Sequence, residues 1–509
     1  MTDSLILSRI KQFFPHVPTG GQEEALRLLA DFLACGGRES AFVLRGYAGT
    51  GKSSLVAALV KAAVALRQPV VLLAPTGRAA RRLAQYSGHP AFTIHRWIYR
   101  QKTFSGRETP FSLSPNLRRH TLFVVDEASL IPCHGGGTAS VFGSGSLLDD
   151  LVQFVYGSEG CRLLLTGDDA QLPPVGETHS PALDADWLSG YGLQVVEAEL
   201  QQVVRQASAS GILWNATALR KMLFEGADAA GLRLKVSGFP DVISLPGSEL
   251  IEALSDSYAR QGVEETIVLT RSNKRAVLYN RGIRTTVLDL EEELCSGDRI
   301  MIARNHYYPT PEPGESPAAP SDLPCRSSEK AAALSGERGS TFSGKPGALP
   351  QMDFLANGDV AVVRRVRRER SLYGFRFADV TLAFPDYDDC EREEILMLDT
   401  LQSEAPALSE SDQERFFDAL LEDYADLPRK SDRMKQLREN PYYNALQAKY
   451  GYAVTCHKAQ GGQWADVYVD MGFVPLEQQD ESFLRWLYTA ITRATRRLYL
   501  VNFPPERLL

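Results

Sequence analysis

Short apolar runs alternate with helical repeats over the first 200 residues of the chain. The run at residues 41–44 leads into a glycine-rich turn, and residues 54–66 continue with a helical pattern. Comparable runs lie at residues 70–74, 122–125 and 163–165. Short apolar runs bounded by turn residues are typical of buried strands. The pattern therefore predicts an α/β domain over residues 1–190.

The same pattern returns later in the chain and indicates a second α/β domain. Residues 267–269 form another buried run followed by a helical repeat, and a last strand is predicted at residues 497–503. We assign residues 191–306 and 452–509 to this domain.

A different pattern separates the two parts of the second domain. Residues 309–350 contain eight prolines and many Ser, Gly and Ala residues, which predicts a flexible insertion over residues 307–352. Short strands then predict a small β-barrel within residues 353–451, with an acidic helical extension. Its arginines either contact a nucleic acid or protect a solvated strand edge. They are Arg364, Arg365, Arg367, Arg368 and Arg370.

The glycine-rich turn after the first run has the chemistry of a phosphate-binding loop. It reads G-x-x-x-x-G-K-S, between a predicted strand and a predicted helix. Its glycines let backbone N–H groups close around phosphate oxygens, and the helix N-terminus adds positive potential. Lys52 is expected to reach the β- and γ-phosphates of ATP, and Ser53 to hold Mg²⁺. The predicted nucleotide-binding residues here are Gly46, Ala48, Gly49, Thr50, Gly51, Lys52, Ser53 and Ser54.

Four further polar residues are candidates for the same nucleotide. Asp126 and Glu127 end the run at 122–125 as paired carboxylates. Asp126 can hold Mg²⁺ through water, and Glu127 can polarise the attacking water. Gln171 follows the next strand and can sense the γ-phosphate or that water. Gln22, on an amphipathic helix before the loop, is either a surface glutamine or a reader of the adenine edge.

Two stretches of the first domain are candidates for a polymer ligand. Pro75, Thr76 and Gly77 open a helix after a strand. Their hydroxyl and N–H groups either hold a backbone phosphate or simply cap the helix. His95 either caps a helix or contacts a DNA backbone.

Residues 99–119 are polar and predict a hairpin that projects from the first domain. Phe104 and Phe111 flank its Ser-Gly turn. An ordinary surface hairpin explains this stretch equally well.

The motifs occur in an order that resembles the superfamily 1 helicases. The phosphate loop is followed by A-P-T-G-R-A-A, T-I-H, D-E-A-S and G-D-D-A-Q-L-P-P-V, the last string being the most specific. The resemblance is strongest to the 5′-to-3′ branch that contains RecD, Dda and Pif-type enzymes, over roughly residues 20–300 and 355–505. It implies two RecA-like P-loop motor domains. It also implies a wedge hairpin inserted in the first domain, in which Phe104 and Phe111 would stack on DNA, and an SH3-like β-barrel inserted in the second.

The resemblance also implies functional residues in the second domain. Arg205 in E-L-Q-Q-V-V-R would reach the γ-phosphate, and Arg493 in Y-T-A-I-T-R-A would be the arginine finger. Gly461 would lie at the nucleotide. The implied DNA contacts of this domain are Asn273, Thr455 and His457.

By this resemblance the chain is expected to be an ATP- and Mg²⁺-dependent DNA helicase. It would translocate 5′ to 3′ on single-stranded DNA and unwind duplex or fork DNA as a monomer. Two alternatives stay open. One is a RecD-like motor subunit of a multi-subunit nuclease–helicase, and the other is an ATP-gated protein that only binds single-stranded DNA.

Composition limits the setting of the chain. No apolar run approaches the roughly 20 residues that a membrane span needs. The seven cysteines are scattered without C-x-x-C, so neither a zinc site nor a disulfide framework is predicted and a cytoplasmic location is the default. The net charge is −8, but residues 384–426 hold 15 acidic residues against two arginines. Nucleic acid is therefore expected to bind away from that region.

Overall fold

The computed structural model describes residues 3–35, 39–101, 111–133, 143–203, 210–226, 231–307, 354–387, 389–475 and 479–509. The chain divides into two compact units. One unit consists of Met1–Arg271 with Val454–Leu509, and the other consists of Ser272–Ala453.

The elements alternate between strand and helix up to residue 200. The strands are β1 (Ser40–Gly46), β2 (Val70–Ala74), β3 (Ala91–Thr93), β4 (Tyr99–Gln101), β5 (Phe111–Leu113), β6 (Leu122–Val125), β7 (Arg162–Gly167) and β8 (Gln194–Leu200). The helices are α1 (Asp3–Phe13), α2 (Gly20–Ala34), α3 (Lys52–Ala65), α4 (Gly77–Ser87), α5 (Ile94–Ile98), α6 (Leu147–Tyr156) and α7 (Ala185–Ser189).

The remaining elements form a second sheet and a barrel. The helices are α8 (Gly211–Glu225), α9 (Leu250–Gln261), α10 (Asn273–Gly282), α11 (Glu410–Glu422), α12 (Lys430–Glu439) and α13 (Glu481–Ile491). The strands are β9 (Val242–Leu245), β10 (Thr266–Thr270), β11 (Arg299–Ile302), β12 (His306–Tyr307), β13 (Phe354–Leu355), β14 (Val360–Leu372), β15 (Phe375–Phe384), β16 (Cys390–Met397), β17 (Leu446–Tyr450), β18 (Ala453–Thr455), β19 (Trp464–Asp470) and β20 (Ala494–Val501).

The first sheet is parallel, with strand order β3-β2-β6-β7-β1-β8. Alternate residues of β1 enter two different cores: Ala41 and Val43 pack on one face, and Phe42 and Leu44 on the other. A strand that is buried on both faces needs an apolar residue at every position. This explains the continuous apolar run and confirms the predicted α/β domain.

The predicted end of the first domain at residue 190 is too early. Strand β8 lies in the first sheet and pairs with β1 from Ser40↔Gln194 to Gly46↔Leu200. Only Ala198 and Leu200 of its seven residues are buried, and the others are exposed or half-buried. Strand β8 is the edge of the sheet, so it lacks the continuous apolar signal by which the other strands were found.

The second sheet lies in the same unit, with strand order β18-β10-β19-β20-β9. The pairs β10–β19, β19–β20 and β20–β9 are parallel. Helix α13 precedes β20 and is buried along most of its length. The sheet confirms the second α/β core expected from the runs at 267–269 and 497–503.

The other unit contains a closed barrel of β11, β14, β15, β16 and β17. A barrel was predicted, but its first strand, β11, lies within residues 191–306, which were assigned to the second α/β domain. The acidic helix α11 covers one end of the barrel with Phe416 and Leu420, so it does not simply face solvent. Residues 308–353, which include nearly all of the predicted insertion, lie outside the described residues.

Three of the five barrel arginines pair with acidic residues of β15 and β16. Arg367 lies 2.5 Å from Glu393, and Arg364 lies 3.6 Å from Glu391. Arg370 pairs with Asp379. These pairs support the charged strand edge more than a nucleic-acid surface.

The structure bears on the expectations about membrane spans and about the cysteines. Among the described residues, no helix is long and apolar enough to cross a membrane. Cys390 is disulfide-bonded, a bond that the scattered cysteine spacing did not predict. The free cysteines are Cys35, Cys133, Cys161, Cys295 and Cys456.

Candidate nucleotide-binding site

The predicted phosphate loop connects β1 to α3. Gly51 precedes α3 with a φ of 88°, a left-handed conformation that favours glycine, and no side chain caps the helix. A Cβ atom on Gly46 would lie 2.9 Å from the Thr50 hydroxyl, so the loop turns back tightly on itself. The uncapped N–H groups at the start of α3 are suited to phosphate oxygens.

Lys52 lies folded over this loop. Its ammonium group donates hydrogen bonds to the Gly46 carbonyl and, at 3.2 Å, to the Tyr47 carbonyl. The Thr50 hydroxyl also donates to the Tyr47 carbonyl, at 2.8 Å. The ammonium therefore already lies within the loop, where a phosphate could replace the carbonyls as its partner.

Asp126 and Glu127 follow β6 as predicted. The Tyr86 hydroxyl donates a hydrogen bond to Asp126 Oδ2 at 2.6 Å. Burial raises the pKa of Asp126, and the neighbouring Glu127 raises it further. Glu127 has a left-handed backbone with a φ of 54°, and its carboxylate lies 4.0 Å from Arg82. Two carboxylates with different partners thus stand at one strand end, as a metal ligand and a general base require.

A magnesium ion suits this end of the sheet. Mg²⁺ prefers oxygen ligands, commonly takes one or two carboxylates, and completes its shell with phosphate and water oxygens. Asp126 offers a carboxylate, and Ser53 offers an exposed hydroxyl in the first turn of α3. No larger group of metal-ligating side chains occurs in the described part of the chain.

The loop after β7 carries a second polar cluster. Asp168 is buried and accepts hydrogen bonds from the Ala170 N–H at 3.1 Å and the Tyr488 hydroxyl at 2.8 Å. Gln171 is also buried, and among the described residues its side-chain Oε1 has no hydrogen-bond partner. A buried polar atom without a partner is costly, so Gln171 Oε1 is a place where a ligand or water is expected.

Helix α13, which precedes β20 of the second sheet, binds the loop that follows β7. Arg485 donates to the Asp169 carbonyl, and the Thr489 hydroxyl accepts from the Leu172 N–H at 2.9 Å. Gln460, in the turn before β19, donates to the Leu172 carbonyl at 2.8 Å. The structure therefore joins the loop of Gln171 to elements of the second sheet.

The two predicted arginines have different outcomes. Arg205 lies outside the described residues. Arg493 is buried, and its guanidinium donates to the Thr489 carbonyl at 3.0 Å, the Gly462 carbonyl at 3.3 Å and the Thr492 hydroxyl at 3.2 Å. These partners belong to the second sheet and its connections. A γ-phosphate contact from Arg493 requires a rearrangement and stays a prediction.

Gln22 lies against the phosphate loop. Its amide donates to the Thr50 carbonyl at 2.9 Å, and its Oε1 accepts from the Thr19 N–H at 3.0 Å, completing the cap of α2. Gln22 thus supports the loop in this structure. Adenine recognition by the same amide stays a prediction.

The first-domain candidates for DNA contact have local roles. Thr76 caps α4 by accepting from the Ala79 N–H at 3.3 Å, as the simpler interpretation required. Gly461 approaches this cap so closely that a Cβ atom there would lie 2.9 Å from the Thr76 hydroxyl. Gly461 therefore lies beside a DNA candidate, and its expected nucleotide contact stays a prediction. Pro75 and Gly77 flank Thr76 at the same helix start.

Histidine candidates differ in their surroundings. Desolvation lowers the pKa of His95 to about 4, so the imidazole is neutral at pH 7 and offers a phosphate no positive charge. His457 is exposed in a short turn that Thr455 precedes, although desolvation also lowers its pKa. Asn273 begins α10 in the other unit.

The predicted hairpin is confirmed at its base, where β4 and β5 pair antiparallel from Tyr99↔Leu113 to Gln101↔Phe111. Phe111 is half-buried and packs against the core of the first sheet. This packing uses part of the ring surface, and a contact of Phe111 with DNA stays a prediction. Phe104 lies outside the described residues.

Several residues of this site were not found from the sequence. Tyr86 lies 40 positions before Asp126, near the end of α4 and beyond the A-P-T-G-R-A-A motif that opens this helix. Gln460, Tyr488 and Thr489 occur inside strings that were singled out for other residues. The helical spacing of Tyr488 and Thr489 with Arg485 was the available signal, since positions three and four apart share a face.

Comparisons with known proteins agree with the motifs. A model of the AAA domain matches residues 19–233, and a model of the UvrD-like helicase C-terminal domain matches residues 450–501. The ATP-dependent RecD2 DNA helicase of Deinococcus radiodurans is 34% identical over 172 residues, which is 34% of this chain and 20% of that protein. The chain thus matches only a fifth of that relative's length.

Similar solved structures are more distant in sequence. The Pif1 helicase from Candida albicans is 16% identical, with 97% of this chain and 96% of that chain covered at a TM-score of 0.40. The Pif1 helicase from Bacteroides in complex with ADP-AlF3 and ssDNA is 14% identical, with 97% and 95% covered at a TM-score of 0.43. The two domain models and the RecD2 relative confirm the resemblance to helicases of the RecD type.

Proposed function

We propose that this chain is an ATP-dependent DNA helicase that translocates 5′ to 3′ along single-stranded DNA and unwinds duplex DNA. The observation that carries the proposal is the bonding of α13 and Gln460 to the loop at residues 168–172. Through these bonds, a change in the phosphate loop on nucleotide binding would alter the position of the second sheet. That sheet also carries Thr455 and His457, which are expected to touch DNA.

In the proposed mechanism the first sheet binds and hydrolyses ATP. Lys52 exchanges its carbonyl partners for the β- and γ-phosphates, and Ser53 with Asp126 would hold Mg²⁺, which neutralises phosphate charge when bound. Glu127 orients and deprotonates the attacking water. The unpaired Oε1 of Gln171 is suited to accept a hydrogen bond from that water.

Arginines from the second sheet would complete the site. Arg493 would leave its carbonyl partners and reach the γ-phosphate, and Arg205 is proposed for a similar contact. Both arginines distinguish ATP from ADP, so hydrolysis weakens the attraction between the two α/β domains. A ligand can shift such an equilibrium only by its difference in affinity for the two states, and the γ-phosphate supplies that difference.

We propose that both α/β domains are RecA-like helicase motors and that DNA crosses both of them. Thr76 and Gly77 would bind it on the first domain, with Thr455 and His457 on the second. The hairpin at residues 99–119 would separate the strands, and the barrel would be SH3-like. The similarity to RecD2 also keeps open a motor subunit within a larger nuclease–helicase.

The test is unwinding of duplexes that carry either a 5′ or a 3′ single-stranded tail, with ATP and Mg²⁺. The proposal expects ATP-dependent strand separation from the 5′-tailed duplex only. Preference for the 3′ tail would overturn the polarity. DNA binding that is accompanied by neither unwinding nor steady ATP hydrolysis would favour an ATP-gated DNA-binding protein.

A further inference from the structure

The hydroxyl of Tyr488 joins three segments at the centre of the site. It lies on α13, is buried, accepts a hydrogen bond from the Ala48 N–H at 3.1 Å, and donates to Asp168 Oδ2 at 2.8 Å. A backbone N–H can only donate, so the single hydroxyl proton must go to Asp168. The polarity of this bridge is therefore fixed.

The chemistry of the bridge excludes a role for Tyr488 as a general base. Burial and the neighbouring Asp168 carboxylate raise the pKa of the phenol well above its ordinary value. The hydroxyl stays protonated at any pH where the protein functions. Its available roles are those of a neutral donor and acceptor.

The two partners of Tyr488 respond differently to a nucleotide. Ala48 belongs to the phosphate loop, whose N–H groups must adjust when phosphates enter. Asp168 belongs to the loop that carries Gln171; desolvation raises its pKa, and the positive charge of Lys52 opposes that rise. A movement of Ala48 is thus transmitted through one hydroxyl to the loop of Gln171 and to α13.

Neighbouring residues of α13 bind the same loop. Arg485, one turn before Tyr488, and Thr489, the residue after it, bond to backbone groups of that loop. The loop at residues 168–172 and α13 therefore move together. The phosphate loop is attached to them through the Tyr488 hydroxyl, a contact that a nucleotide can change.

We propose that Tyr488 is a positioning residue that couples occupancy of the phosphate loop to the loop of Gln171 and to α13. This inference rests on the proposed function and assigns it a further residue. Without the hydroxyl, the Asp168 carboxylate and the Ala48 N–H both lose a partner. Asp168 is then free to attract Lys52, which is needed by the phosphates.

The experiment compares Tyr488→Phe, Asp168→Asn and the double variant in steady-state ATP hydrolysis with and without single-stranded DNA. Tyr488→Phe is expected to lower the DNA-stimulated kcat at least tenfold and to change the KM for ATP less than threefold. Asp168→Asn is expected to lower kcat as well. Because the hydroxyl acts through Asp168, the double variant should lose no more than the worse single variant.

Tyr468→Phe is the matched control. Tyr468 is a fully buried tyrosine of β19 whose hydroxyl bonds to Ser257 and to the Ala253 carbonyl, in the same unit but with partners outside the nucleotide loops. It should lose comparable thermal stability and keep its stimulated kcat within twofold. An equal loss of kcat in both variants would show that a missing buried hydroxyl merely loosens the fold.

The outcomes separate the inference from the proposed function. A parent protein without DNA-stimulated ATP hydrolysis overturns the proposed function. A stimulated parent with an equally stimulated Tyr488→Phe variant overturns only the inference. Multiplicative losses in the double variant would show that the hydroxyl does not act through Asp168.

Discussion

Lys52 shows how a single side chain separates the binding of ATP from the binding of DNA. Its ammonium touches carbonyls of the phosphate loop, whereas the candidate DNA contacts belong to other segments. Lys52→Ala is expected to abolish ATP hydrolysis and to keep single-strand affinity within a few-fold of the parent. Coupled-enzyme ATPase assays and fluorescence anisotropy measure the two properties. Hydrolysis near the parent rate would contradict the assignment of residues 46–53 as the loop that binds ATP.

Glu127 differs from Asp126 in the role assigned to it. Glu127→Gln keeps the size of the side chain and removes the base, while Asp126 and Ser53 remain to hold Mg²⁺. Hydrolysis should fall by roughly 10²–10⁴-fold with ATP binding retained. Titration with a fluorescent ATP analogue provides the control, since a variant that no longer binds ATP would make Glu127 a metal ligand.

Arg493 tests whether the buried guanidinium moves to the nucleotide. An arginine finger is worth roughly 10³–10⁵ in rate, so Arg493→Ala should lose DNA-stimulated hydrolysis while ATP still binds. Because the guanidinium has three partners in this structure, Arg493→Lys and a thermal melt are needed beside it. A stimulated kcat that survives in both variants would confine Arg493 to its present bonds.

Residues within a motif could be found from the sequence because strand, turn and helix start are local. Asp126 follows its buried run directly, and Lys52 and Gln171 each lie in or just after the loop that follows one. The partners of these residues had no such signal. Tyr86 and Tyr488 lie on helices that only the tertiary fold brings to the site. The composition of these helices does not distinguish them from helices elsewhere in a protein. Sequence therefore predicted the chemistry of the site and missed the bonds that hold it in place.

At the scale of elements, the paired strands β4 and β5 of the predicted hairpin can be tested by mutation. Phe111 belongs to the base and packs on the core. Phe111→Ala should therefore lower the free energy of unfolding by about 1 to 3 kcal/mol, measured by urea denaturation. Leu117→Ala is the control, because that side chain is 88% exposed. If Phe111→Ala slows unwinding without any loss of stability, the ring contacts DNA where the strands separate.

The strands buried on both faces were predictable, and the edge strand was not. An interior strand must be apolar throughout, whereas β8 has one neighbour and a mixed sequence, so its signal resembles that of a loop. Strand β11 was assigned to the wrong domain for a related reason. Its four buried residues fit either a barrel or a parallel sheet, and only its antiparallel partners β14 and β17 decide between them.

For the whole molecule, the net charge of −8 hides a division of charge. Acidic residues gather in the barrel region, where they pair with its arginines, so DNA contacts must come from fewer cations elsewhere. With about three phosphate contacts, the logarithm of single-strand affinity should fall with the logarithm of salt at a slope of about −2. Anisotropy titrations over a series of salt concentrations measure the slope. A slope near zero would contradict backbone binding.

The second sheet cannot form until late in synthesis, because two of its paired strands are far apart in the chain. Strand β10 pairs with β19 from Thr266↔Asp466 onward, with the barrel unit made in between. At roughly 5–20 residues per second of synthesis, the ribosome needs on the order of 10–40 s to supply the partner. Until then β10, which is buried along its whole length in the fold, lacks its partner, so newly made chains are expected to depend on chaperones during this interval.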